Sequence, residues 1–132
     1  MRPARLLIAG LAIEAIVLAF GTPAENTLIE KGKDLFARRC SGCHAADINK
    51  EGPRLRGVYG RKAGSVPDFV YSDPVKKLNL QWDEASLDRW LTDPDLMAPN
   101  TDMAFRLSSA EERKAVIAYL KTLGSSSSGT AR

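Results

Sequence analysis

Residues 40–44 read Cys-Ser-Gly-Cys-His, and this stretch decides how the rest of the chain is interpreted. It contains both cysteines and the single histidine of a 132-residue chain. A Cys-x-x-Cys-His segment is an attachment motif for a c-type haem. Two thiols three positions apart near a helix terminus can each bond one vinyl-derived carbon of the porphyrin, and the adjoining histidine is then held under the iron. The motif therefore predicts one covalently attached haem c, bound through Cys40 and Cys43, with His44 on the iron.

Other uses of paired cysteines fit this sequence less well. A thioredoxin-like pair sits at the start of a helix that follows a strand, and no strand is predicted before Cys40. A structural zinc site needs four ligands, so two cysteines and one histidine fall short unless a carboxylate joins them. A disulfide across so short a loop would add little stability, because closing the loop removes little entropy from the unfolded chain.

The first residues of the chain differ in composition from the rest. Arg2 and Arg5 form a basic start, and residues 6–20 are apolar apart from Glu14. This length suits the apolar part of a signal peptide better than a membrane span, which needs about 20 residues. We interpret residues 1–24 as a signal peptide that is removed, with an uncleaved membrane anchor as the alternative. Both interpretations place the domain in the periplasm.

Four helices and no convincing strand are predicted in the domain, which we place at residues 27–124. The first helix begins at a capping box of Thr27 and Glu30 and runs into Cys40. The last begins at a capping box that starts at Ser108 and ends at Gly124.

Two shorter helices lie between them, separated by long irregular segments. One starts with Asp73 as its cap, and the other is capped by Asp83 and ends before Pro94. Residues 45–71 and 95–107 show no periodicity, and such long loops are unusual unless they surround something other than the chain itself. The sequence predicts an all-α fold with about four helices and long loops wrapped around one covalent haem. Residues 125–132 are predicted to be a disordered tail.

A methionine is the remaining candidate for the second axial ligand of the iron. Because His44 is the single histidine, two histidines cannot bind the same iron within this chain. The candidates are Met97 and Met103, apart from the initiator Met1. Met103 follows Pro99 in a loop that could cross the far face of the haem, so we take it as the ligand. Met97 is interpreted as core filler.

The sequence from residue 28 to residue 123 resembles the class I cytochromes c, most closely the mitochondrial type and its small bacterial relatives. The resemblance rests on blocks of residues that occur in the family's order. They are Glu30-Lys31-Gly32-Lys33 with Phe36, Gly52-Pro53-x-Leu55-x-Gly57 with Gly60-Arg61-Lys62, Tyr71-Ser72, Trp82, Trp90-Leu91 with Pro94, Pro99-x-Thr101-x-Met103 with Phe105, and Ile117-Ala118-Tyr119-Leu120.

The resemblance implies roles for further residues of the site. Pro53 would offer its carbonyl to the free ring N–H of His44, which fixes the tautomer of the imidazole. Arg61, Tyr71 and Trp82 would hydrogen-bond or neutralise the haem propionates, since a buried charge without a partner is costly.

The resemblance also implies a helix crossing, and the sequence departs from the family in places. Gly32 would cross the last helix near Tyr119. Trp90 stands where the family usually has a tyrosine beside the methionine sulfur, and an indole can only donate a hydrogen bond. Asp95 and Asp102 occupy positions that are usually lysine, so attraction to an acidic docking face would be weaker.

These features together predict a periplasmic carrier of single electrons rather than an enzyme. Its partners would be a redox protein that donates electrons and another that accepts them, with no small-molecule substrate. A net charge of +3 without a basic stripe gives no reason to expect nucleic acid, and membrane contact is expected only if the N-terminal segment stays attached. One alternative is a haem c subunit of a specific periplasmic dehydrogenase. A more distant one is a haem peroxidase or gas-binding protein.

Overall fold

The computed structural model describes residues 21–124, and most of the regular structure in this range is helical. A single isolated β-bridge joins Lys62 to Gln81, and no strand forms within residues 21–124. The helices are α1 (Pro23–Arg39), α2 (Asp73–Lys76), α3 (Glu84–Thr92), α4 (Pro94–Met97) and α5 (Ala110–Thr122). None of the helices in this range is long and apolar enough to cross a membrane.

The predicted all-α fold with long loops is confirmed, with one more helix than the predicted four. The addition is the single turn of α4, which lies at the edge of the segment that the sequence indicates to be irregular. The predicted signal peptide, apart from its last four residues, and the predicted tail at residues 125–132 lie outside the described range.

The start of α1 differs from the prediction by several residues. Thr22 is the N-cap, and its hydroxyl accepts a hydrogen bond from the N–H of Glu25 at 3.2 Å. Thr27 lies inside the helix, where its hydroxyl donates to the carbonyl of Pro23 at 2.9 Å. The predicted capping box at Thr27 is therefore wrong. Pro23 explains the earlier start, because proline suits the first helical position, where its missing N–H costs nothing.

The start of α5 differs from the prediction by one residue. Ser109 caps the helix and accepts from the N–H of Glu112 at 3.3 Å, so the predicted box starting at Ser108 is wrong. The carbonyl of Ser108 instead accepts a hydrogen bond from the side chain of Arg113 at 2.8 Å. This contact keeps Ser108 in the preceding loop.

The two middle helices begin close to the predicted positions. Asp83 caps α3 as predicted: its carboxylate accepts from the N–H of Ser86 at 2.8 Å, and the Ser86 hydroxyl accepts from the N–H of Asp83 at 2.9 Å. α3 ends before Pro94, also as predicted. For α2 the cap is Ser72, and Asp73 is the first helical residue rather than the cap.

Helices α1 and α5 cross in close contact at Gly32. A Cβ atom at Gly32 would lie 1.9 Å from the carbonyl oxygen of Ala115 and 3.0 Å from the Cβ of Tyr119, so only glycine fits. The rings of Phe36 and Tyr119 pack one turn further along, with centroids 5.4 Å apart. The crossing that Gly32 predicts is therefore present.

One buried charged side chain connects the helices to the loop that precedes α5. Arg113 donates from Nε to the carboxylate of Asp88 on α3 at 2.7 Å. Its NH1 group donates to the carbonyls of Leu107 at 2.9 Å and of Ser108 at 2.8 Å. The end of the loop that carries Met103 is thereby fixed to two helices.

Candidate functional site

A cavity of about 490 Å³ lies between the end of α1, helix α3 and the long loops. Its volume is in the range of cofactor sites, and its walls are mainly apolar, as such sites usually are. The cavity brings together all eight residues that the sequence predicts for the site. These are Cys40, Cys43, His44, Pro53, Arg61, Tyr71, Trp82 and Met103.

The two cysteines stand at the end of α1, where the chain turns into the loop. Cys40 is the C-cap of the helix, and its carbonyl accepts from the N–H of Cys43 at 3.1 Å and of His44 at 2.9 Å. This turn places two free thiols and one imidazole within five residues along the cavity wall. Burial raises the pKa of the Cys40 thiol to about 11, so this thiol is protonated at neutral pH.

The imidazole of His44 is fixed by a backbone carbonyl. Its Nδ1 lies 2.9 Å from the carbonyl oxygen of Pro53, which is the contact that the family resemblance implies. Because a carbonyl only accepts, Nδ1 carries the proton and donates it, and the lone pair of Nε2 stays available for a metal. Burial lowers the pKa of His44, with the hydrogen bond to Pro53 acting in the opposite direction. The ring is therefore mainly neutral at pH 7.

Gly52 contributes to the site in a way that the sequence did not reveal. A Cβ atom at this position would lie 2.2 Å from Cε1 of His44 and 2.7 Å from each ring nitrogen. The N–H of Gly52 also donates to the carbonyl of Cys43 at 2.8 Å, which ties the loop to the motif. The glycine was visible in the sequence only as part of a loop, and its contact with the histidine depends on tertiary structure.

The loop before α5 places Met103 on the wall of the same cavity, whereas Met97 does not line it. Met97 is partly buried against the core, in agreement with its interpretation as filler. The indole N–H of Trp90 donates to the sulfur of Met103, with 3.1 Å between Nε1 and Sδ. Trp90 is buried and packs edge-on against Trp82, with ring centroids 5.4 Å apart.

Polar groups reach the cavity beside these apolar walls. Arg61 is half-buried and donates to the carbonyls of Arg54 and Arg56, each at 3.0 Å. Burial lowers the pKa of Arg61, and no carboxylate within residues 21–124 forms an ion pair with it. The hydroxyl of Tyr71 accepts from the N–H of Val66 at 3.2 Å, so its own hydrogen remains available. An apolar cavity with a cation and a hydroxyl donor suits a flat apolar group that carries acidic substituents, as a haem does.

The sequence profile of the family described as cytochrome c matches residues 29–124, which include every cavity residue named above. The chain belongs to the cytochrome c family. Cytochrome c2 iso-2 of Magnetospirillum molischianum is 47% identical over 87 residues, covering 64% of this chain and 90% of the relative. Cytochrome c of Euglena viridis is 41% identical over 97 residues, covering 71% of this chain and 95% of the relative.

The solved structures include a similar cytochrome. The chain is 42% identical to cytochrome cH from Methylobacterium extorquens, with a TM-score of 0.68, and the match covers 71% of this chain and 97% of that one. These matches confirm the predicted class I cytochrome c fold and one covalently attached haem c, for which Cys40 and Cys43 form the expected motif. The chain is an electron-transfer protein rather than an enzyme, and it exchanges electrons with redox proteins.

Proposed function

We propose that the chain is a periplasmic carrier of single electrons, with its haem attached through Cys40 and Cys43 and its iron bound by His44 and Met103. The observation that carries this proposal is that the imidazole and the thioether line one cavity, and that each is oriented by a neighbour. When bound, the haem supplies a one-electron couple between ferric and ferrous iron.

The residues around the cavity favour electron transfer over catalysis at the iron. His44 and Met103 would occupy both axial positions and leave no open site for a small molecule. Within residues 21–124 no second histidine is present to act as a distal acid or base. A haem peroxidase or gas-binding protein would need the methionine to leave, so this alternative is disfavoured.

Three further residues are proposed to bind the acidic edge of the haem. Arg61 would supply positive charge to the propionates, since its guanidinium forms no ion pair within the described range. Tyr71 would donate its hydroxyl hydrogen, because Val66 uses only a lone pair of that oxygen. Trp82, which is buried on the same wall, would add its indole N–H.

The location and the partners form a second part of the proposal. The basic start and apolar segment within residues 1–24 favour export to the periplasm. There the chain would take electrons from one redox protein and give them to another. A haem c subunit of a specific periplasmic dehydrogenase would use the same residues and differ only in holding one partner permanently. Co-purification from the source organism distinguishes the two: a transient carrier separates from its partners, and a subunit stays with the dehydrogenase.

The axial ligands are tested with the absorption spectrum of the holoprotein, produced in a host that attaches haem. We expect the ferric protein to show the weak band near the red edge that indicates a bond between methionine sulfur and iron. Met103→Ala should lose this band and gain high-spin features, whereas the control Met97→Leu should keep it. A band that persists in Met103→Ala would show that the ligand is wrong.

A further inference from the structure

A second cavity, of about 220 Å³, opens on the loop that carries Met103. We call it the methionine-loop socket, and it is lined by Asp95, Asn100, Thr101, Met103, Ala104 and Arg106. Thr101, Met103 and Ala104 also line the haem cavity, so this short segment is a wall that the two cavities share. A group seated in the socket would therefore lie against the residue that is proposed to bind the iron.

The socket has a fixed shape because two hydrogen bonds hold its loop. Oδ1 of Asp95 accepts from the N–H of Asn100 at 2.8 Å, and the carbonyl of Ala98 accepts from the N–H of Thr101 at 3.0 Å. Asn100 has a φ of 62°, a left-handed conformation that asparagine adopts more readily than most residues. Asp95 thus holds the loop with one of its two carboxylate oxygens.

Three side-chain oxygens of the socket are unused acceptors. Oδ2 of Asp95, Oδ1 of Asn100 and Oγ1 of Thr101 accept no hydrogen bond within residues 21–124. Asp95 also forms no ion pair in this range, because Arg106 pairs with Asp93 instead, at 2.9 Å. An ammonium group has one positive charge and three donors. A lysine side chain therefore matches the socket in both charge and number of hydrogen bonds.

The surface beside the socket combines acidic groups with an exposed apolar side chain. Leu96 follows Asp95 directly and is 81% exposed. On the wall of the haem cavity, Glu51 and Asp102 are exposed and form no ion pair within the described range, and they outnumber the one exposed cation of that wall, Arg39. The negative charge is local, since the whole chain has a net charge of +3. Apolar contact surrounded by polar anchors is typical of protein interfaces.

We propose that this face docks a redox partner by taking a lysine side chain of the partner into the methionine-loop socket. The inference rests on the proposed function, in which Met103 binds the iron. The ammonium group would bind Asp95, Asn100 and Thr101, and the surface around it would cover Leu96. Complementary charges would orient the partner and speed its association. The partner's docking face is therefore basic, and it lies against the Met103 loop when the electron is transferred.

The test is a titration of the reduced holoprotein, labelled with ¹⁵N, with tetralysine as the probe. We expect tetralysine to shift the backbone N–H signals of residues 95–106, whereas tetraglutamate leaves these signals in place. In Asp95→Asn the affinity for tetralysine should fall about three- to tenfold, because hydrogen bonds to charged groups are stronger than neutral ones. The asparagine keeps an oxygen that can accept the N–H of Asn100, so the loop should keep its shape.

Asp34→Asn is the matched control, since it changes the net charge by the same amount. Asp34 is exposed on α1 and lines neither cavity, so its affinity for tetralysine should equal that of wild type. The inference is wrong if the wild-type shifts fall outside residues 95–106, or if Asp95→Asn binds tetralysine as tightly as Asp34→Asn does. A wild type that lacks the methionine–iron band would instead contradict the proposed function.

A second measurement follows electron transfer itself and begins with the unmodified holoprotein. Its reduction by the cation hexaammineruthenium(II) should slow as salt is added, although the chain carries a net positive charge. At low salt, Asp95→Asn should be reduced about two- to fourfold more slowly than Asp34→Asn, because one unit charge near the approaching cation is lost. The difference should vanish at about 1 M salt, where charges are screened within about 3 Å. A wild-type rate that rises with salt would overturn the inference.

Discussion

The orientation of His44 depends on backbone as much as on side chains. The carbonyl of Pro53 binds one ring nitrogen, and the Cα of Gly52 lies against the ring, where a single additional carbon atom would overlap it. Gly52 and Pro53 therefore position the imidazole in two ways. The carbonyl of Pro53 fixes the tautomer, and the missing side chain of Gly52 leaves the space that the ring needs.

Replacing Gly52 by alanine should displace the His44 ring. The added Cβ would lie 2.2 Å from Cε1, and relief of such overpacking typically costs about 1–3 kcal/mol. We expect less haem attached per protein, a lower midpoint of urea unfolding and high-spin features in the absorption spectrum.

Gly124→Ala is the size-matched control for this change. Its Cβ would stay 3.6 Å from the nearest atom, so haem content and stability should match wild type. Equal haem content and equal stability in Gly52→Ala would contradict the steric argument.

Residues whose chemistry fixes their spacing were predictable from the sequence. The two cysteines and the histidine of the attachment motif must follow one another at a fixed spacing, so residues 40–44 can be recognised directly. The proline-containing loop around Met103 favours it over Met97 as the axial ligand. Gly52 was not predictable as a site residue, because its role depends on where the histidine ring lies after folding. The chemistry of indole establishes that Trp90 can only donate, but the sequence left open whether it forms a hydrogen bond with the sulfur of Met103.

At the scale of helices, the existence of each long helix was easier to predict than its first residue. Thr22 and Thr27 are both good caps, and only the adjoining Pro23 favours the earlier start. Ser108 and Ser109 are adjacent and chemically equivalent. The choice between them is made by Arg113, which binds the carbonyl of Ser108. A side-chain contact of this kind leaves no periodic signal in the sequence.

Arg113 should be important for the stability of α5 and of the loop before it. Arg113→Met would leave the carbonyls of Leu107 and Ser108 without this donor, in addition to removing the ion pair with Asp88. Loss of a buried polar partner costs about 1–3 kcal/mol per group, so we expect destabilisation of about 2–4 kcal/mol in urea unfolding.

Lys114→Met serves as the comparison, since Lys114 is the exposed neighbour on the same helix. It should change the free energy of unfolding by less than about 0.5 kcal/mol. If the two variants were equally stable, the contacts of Arg113 would contribute nothing beyond those of a surface side chain.

For the whole molecule, the cavity occupies the place that a hydrophobic core would otherwise fill. Helix α5 packs on both α1 and α3, but α3 and the long loops also turn apolar surface toward the cavity. An empty apolar cavity lowers the free energy of unfolding by about 24 cal/mol per Å³. A cavity of about 490 Å³ therefore lowers it by on the order of 10 kcal/mol. This is comparable with the whole stability of a small domain.

The chain without haem should therefore fail to fold. We expect Cys40→Ser combined with Cys43→Ser to show little helical signal in far-ultraviolet circular dichroism and no cooperative melting. Wild-type chain produced without the attachment machinery should behave in the same way, which controls for the substitutions themselves. A colourless chain with native helix content and a cooperative transition would refute the expectation.

The contact of Gly32 with Ala115 also has a kinetic consequence. The two residues are 83 positions apart in the sequence (115 − 32), so their meeting closes most of the described chain into a ring. The entropic cost of such closure grows with the logarithm of its length and is about 4 kcal/mol here, apart from a constant. Chains dominated by such distant pairings fold more slowly than helical bundles with local contacts. The attachment motif follows directly after α1, on one side of that ring. A haem attached at the end of α1 early in folding would give α5 a preformed surface to pack against.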